Sequence, residues 1–146
     1  MKQETYYDWN ENTATAIVTI FTKNPENKFV GVAACHPDDI PYCKRDVGIH
    51  IAEVRAKREI VKYLRDCEIK PALKALTCLQ NNMKTSKSYN PKSYEARMLQ
   101  RQIRFKQDEL KATKSIIDDL NQYIRDYSSL YIKAASELVN AKDKVD

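Results

Sequence analysis

From Lys92 to Asp146 the chain contains neither glycine nor proline, and this limits the folds open to it more than any other feature. A run free of both helix breakers reads as one helix. At 1.5 Å per residue it would extend on the order of 75–80 Å, far beyond one small domain. Asn90-Pro91 makes a good start, since asparagine can cap and proline suits the first helical position. Ile103, Leu110, Ile117, Ile124, Tyr131 and Leu138 recur every seven residues, with Lys106, Thr113, Leu120, Tyr127 and Ala134 at the companion position. This is a heptad seam, imperfect at its start and regular after Ile117. A helical hairpin within one chain accounts for part of it. The preceding helical stretch is shorter, so the distal seam calls for a second copy, and a homodimer through the helices is expected.

That preceding stretch runs from about Arg45 to Lys84. Pro71 interrupts it and predicts a kink, because proline lacks a backbone donor and its ring collides with the turn before it. Residues 85–90 form a polar connection. Upstream, residues 13–22 are crowded with β-branched side chains and predict a strand. Lys23 to Asn27 carries turn chemistry, Lys28 to Ala34 reads as the return strand, and Tyr7 to Trp9 is a candidate third. A lone hairpin is marginal in water, so it must pack on something. The loop Cys35 to Tyr42 holds two prolines, which argue against regular structure there. The expected class is α+β: a small N-terminal antiparallel sheet, then two long helices in an antiparallel hairpin. Residues 1–44 supply the sheet and loop and residues 45–146 the helices, as one structural unit of a length usual for a single domain.

Composition narrows the functional classes. The only glycines are Gly31 and Gly48, which excludes a glycine-rich phosphate cradle. A net charge of +5, with both signs well mixed, does not demand a nucleic-acid polymer but suits a local anionic ligand. No apolar run reaches the roughly 20 residues that span a bilayer. The first residues lack a signal-peptide apolar core, so a cytoplasmic protein is expected. Cys35, Cys43, Cys67 and Cys78 match no zinc spacing and are expected as free thiols in a reducing compartment.

The most informative polar cluster is Arg97, Arg101 and Arg104, whose spacing puts three guanidiniums on one helical face. They lie near the helix start, where the macrodipole disfavours cations unless an anion compensates. Arginine is also the side chain best suited to bidentate phosphate recognition and to stacking. Tyr89, Asn90 and Tyr94 adjoin the cluster and could add a stacking face and a base-edge hydrogen bond. The bland alternative is a solvated face with Arg104 paired to Asp108. A second stripe, Arg55, Arg58, Lys62 and Arg65, reads as a solvated face, with Arg55 paired to Glu59 and Lys62 to Asp66. His36, Asp38 and Asp39 lack the ligand set of a zinc site, and one of the aspartates is expected to cap a turn. No nucleophile motif accompanies His36 or His50, so binding without catalysis, metal or cofactor is expected.

Three runs carry a resemblance: Gly31 to Asp39, Ile51 to Ala56, and Ser93 to Ile103. Together they resemble the first family of phage Thoeris anti-defence proteins, over roughly residues 13–135. The resemblance implies a sponge that captures a cyclic ADP-ribose signal intact in the cytoplasm of an infected bacterium, so that the defence effector is never activated. It further implies a pocket between two protomers, with Arg97, Arg101 and Arg104 as ligand-binding positions and Asn90 and Tyr89 from the loop. Some members bind cyclic di- or trinucleotides of a second defence system (CBASS) at a separate site, and assemble dimers into hexamers. Whether Arg55 and Arg58 form such a second nucleotide site is left open. The rival reading is a helical homodimeric scaffold without a nucleotide ligand.

Overall fold

Alternation of small and β-branched side chains builds the sheet. In this computed structural model, which describes residues 2–9, 13–23 and 27–145, strands β1 (Lys2–Trp9), β2 (Ala14–Phe21) and β3 (Lys28–Ala34) pair antiparallel in that order. Ala14, Ala16, Val18 and Ile20 of β2 are buried, while the residues between them are half-buried. Strand β1, expected only over Tyr7 to Trp9, is longer, because its polar residues can pair with β2 from Lys2↔Phe21 to Trp9↔Ala14 while all but Trp9 stay exposed. The expected turn at Asn24 to Glu26 lies outside the described residues.

The connection after β3 corrects three expectations. Pro37–Tyr42 forms a 3₁₀ helix, since a proline at its first position forfeits no needed donor. Its cap is His36, whose Nδ1 accepts from the Asp38 N–H at 3.2 Å, in place of an aspartate. Cys35 and Cys43 bracket this turn and are joined as a disulfide with their Cα atoms 6.6 Å apart, against the expectation of four free thiols. Cys67 and Cys78 are free and exposed.

Helices α1 (Arg45–Tyr63), α2 (Lys70–Lys84) and α3 (Tyr94–Val145) follow. The disturbance expected at Pro71 appears one turn earlier, as a π segment at Leu64–Ile69 where the Lys70 N–H reaches back to Arg65 O. The wider turn takes up the backbone change that the missing Pro71 donor imposes. The start of α3 also shifts. Ser93 is its cap, accepting from the Ala96 N–H at 3.2 Å, while the Asn90 side chain accepts from the Lys92 N–H at 3.0 Å in the preceding turn. Among the described residues no helix is long and apolar enough to cross a membrane.

The chain divides into two compact units, Met1–Ile60 with Asp118–Asp146, and Val61–Ile117. In the first, α1 lies on the inner face of the sheet, and Ala16, Val18, Ile20 and Ala33 pack with Ala52 and Ala56. Alanines on both sides let the helix approach closely. Trp9, Ile49, Ile51 and Ile60 close the margin. Arg58 Nη1 donates to Asn121 Oδ1 at 2.8 Å, and His50 Nε2 meets Tyr123 OH at 2.8 Å.

In the second unit, α2 and the first part of α3 run antiparallel about the turn between them. Ile69, Ala96, Leu99, Ile103 and Ile117 are buried, with Thr113 satisfied by its own helix through a 2.8 Å bond to Leu110 O. The seam positions Ile103, Ile117 and Ile124 are thus covered within the chain itself. The side chain of Leu138 lies outside the described residues.

Candidate functional site

The second unit brings the predicted arginines to one place. Arg97, Arg101 and Arg104 line a groove of about 360 Å³ together with Tyr89 and Pro91 of the turn and Gln80 and Lys84 of α2. Their positions follow from local sequence. Ser93 fixes where α3 begins, and the steps of four and three residues then stack the guanidiniums on the face turned to the groove. Lys84 stands in the last turn of α2, where a cation favours the negative helix end. Across the groove, Gln80 Nε2 donates to Gln100 Oε1 at 2.5 Å, which ties α2 to α3.

The groove lining contains four cationic side chains, two amides and a phenol, and no carboxylate, histidine or thiol. Among the described residues no carboxylate pairs with Arg97, Arg101 or Arg104; the Arg104 to Asp108 pairing weighed above does not form. Four cations facing one concavity repel each other, and a multiply charged anion with oxygens on several sides relieves that repulsion. Chemically the arrangement can hold phosphate groups and offer a ring for stacking.

Two predicted residues stand outside this lining. Asn90 is engaged in the turn described above, and Tyr94 is 67% exposed. Lys84, Gln80 and Gln100 were missed by sequence reasoning. The signal was present, however: a polar turn between two helices sets the last turn of one against the first turns of the next.

The Arg55 and Arg58 stripe belongs to the first unit, where both arginines have structural partners. Arg55 Nη1 donates to Val32 O at 2.7 Å, capping a carbonyl of β3. Burial, and secondarily the charge of Arg58, draws the Arg55 pKa down from the usual guanidinium range. Asp66 is held by Arg65 at 2.8 Å and by Lys70 at 3.3 Å. Those contacts lower its carboxyl pKa to about 2, chiefly through the Arg65 hydrogen bond.

A second cavity, about 230 Å³, lies in the first unit beside Trp9, Cys35, Cys43, Gly48 and Tyr131. Among the described residues no three His, Cys, Asp or Glu side chains stand together as a metal site. No family model, no curated protein and no solved structure matches the chain, so both cavities are read from their own geometry.

Proposed function

We propose that this protein is a nucleotide sponge of the phage anti-defence kind that its sequence resembles. It binds a cyclic ADP-ribose-type signal in the groove of the second unit and keeps it intact. The observation that carries this reading is the convergence of Arg97, Arg101, Arg104 and Lys84 on one groove without a carboxylate, beside the Tyr89 ring. The arginines clamp the diphosphate and the tyrosine stacks on a ring of the ligand. Storage in place of turnover is consistent with a lining of cations and amides. A homodimer, its assembly into hexamers, a second site for cyclic oligonucleotides and action in the cytoplasm of the infected bacterium belong to the same proposal.

The test is depletion and recovery. The purified protein is mixed with lysate in which the Thoeris signal-producing enzyme has been activated; unbound nucleotide is removed, the protein is heated, and the supernatant is assayed for effector activation. Depletion followed by recovery of intact nucleotide by mass spectrometry supports the sponge. Recovery of a cleaved nucleotide makes the protein an enzyme, and failure to deplete removes this signal as the ligand.

One observation favours the scaffold reading. Tyr94, Phe105 and Ile116 are 67%, 62% and 45% exposed and lie on one face of α3, at steps of eleven residues. That reading expects no nucleotide affinity and loss of partner binding in Phe105→Glu.

A further inference from the structure

We propose that Cys35 and Cys43 form a reversible redox latch on the connection between β3 and α1, fastening the wall of the first unit's cavity as a disulfide and loosening it as a dithiol. The bond spans eight residues and closes a short loop around the 3₁₀ helix. One foot of that loop is tied to the sheet, where the Cys35 N–H donates to Ala14 O at 2.8 Å. The other is tied to its own turn and to β1: the Cys43 N–H donates to Ile40 O at 3.2 Å, and the Trp9 indole N–H reaches Cys43 O at 3.5 Å. Both cysteines line the cavity and both are only half-buried, so a small dithiol can reach them.

The exchange balances with one external dithiol as the reductant. A thiolate of an external dithiol attacks one sulfur of the pair, and the other cysteine leaves as a thiolate and takes a proton. The second external thiol then resolves the mixed disulfide. Two electrons and two protons pass to Cys35 and Cys43, and the external dithiol ends as a disulfide. Lys44 and Arg55 line the same cavity and their positive charge favours the leaving thiolate, while Asp39, also in the lining, opposes them. Once the bond is open, the wall is held by noncovalent ties, among them those at its two feet.

Trp9 reports the state of the latch. It is the only tryptophan in the chain, it lines the cavity, and its ring lies against Gly48. The experiment compares the full chain after diamide and after dithiothreitol, by intact mass, by peptide mapping and by acrylamide quenching of tryptophan emission. The latch requires a mass difference of two hydrogens mapped to Cys35 and Cys43, with stronger quenching and a red-shifted emission after reduction. Cys35→Ser and Cys43→Ala should each show the reduced-like emission in both conditions, and the Cys67→Ser/Cys78→Ser double variant should still switch. Four free thiols after oxidant, a different pairing, or identical quenching in the two states would overturn the proposal. If one cysteine variant does not fold, the other variant and the unmodified chain decide it.

Discussion

Gly31 in β3 lies so close to Ala52 in α1 that a Cβ at position 31 would overlap the Ala52 carbonyl oxygen and the Ala56 backbone nitrogen. Backbone atoms in a helix cannot swing aside as a side chain can. Gly31→Ala should therefore force α1 off the sheet and destabilise the protein by about 1–3 kcal/mol or more, the usual cost of overpacking. Gly48→Ala meets the Trp9 ring instead, and gains roughly 0.8–1 kcal/mol of helix propensity in α1. Urea unfolding followed by circular dichroism should rank Gly31→Ala as the more damaging of the two.

The groove arginines make a prediction about binding that leaves stability untouched. Arg97→Ala and Arg101→Ala should each weaken cyclic ADP-ribose binding about tenfold to a hundredfold, the loss expected for one charged hydrogen bond. Lys84→Ala should cost less, because a lysine supplies a point charge where an arginine supplies a fork. Calorimetric titration checks the order. Affinities unchanged from the unmodified protein in all three variants would mean that the ligand does not enter this groove.

His50 and Tyr123 offer a cleaner separation of polar from ring contacts. Their 2.8 Å bond is exposed, and the Tyr123 ring also stacks on Tyr127 with centroids 5.6 Å apart. Tyr123→Phe keeps the rings and deletes the bond, so it should cost about 0.5–1.5 kcal/mol. Tyr123→Ala should cost more, because the stacking is lost as well.

Asp66 links the π segment to acid. Its folded pKa, about 2, lies below the ordinary value of 3.8. The carboxylate therefore stabilises the folded state fully above the ordinary value, and that contribution disappears as pH falls through about 2. The group is solvent-exposed, so the effect is small and screened by salt. An NMR titration should place its midpoint near 2, and Arg65→Gln should move it up toward the ordinary carboxylate range.

The fold was legible where one residue pattern has one outcome. The β-branched run of β2 and the breaker-free run of α3 both appear as read. The cap of α3 was misread because Asn90-Pro91 and Ser93 are both plausible starts, and only the turn geometry decides between them. Arg97, Arg101 and Arg104 could be grouped from helical spacing alone, since they share one element. Lys84 could not, because periodicity carries no information across a turn. The Cys35 and Cys43 pairing was missed for another reason: compartment, not spacing, guided the expectation, and the β3–α1 connection brings the two together regardless.

Every residue that walls the groove comes from the stretch between Gln80 and Arg104. Its construction therefore requires closing one short loop, whose entropic cost grows only slowly with length. Such a site has low contact order, and its walls can form early, before pairings distant in sequence. The same locality makes it an exchangeable cassette. A few substitutions along this one segment can retune ligand preference while β1, β2 and β3 keep their sequence.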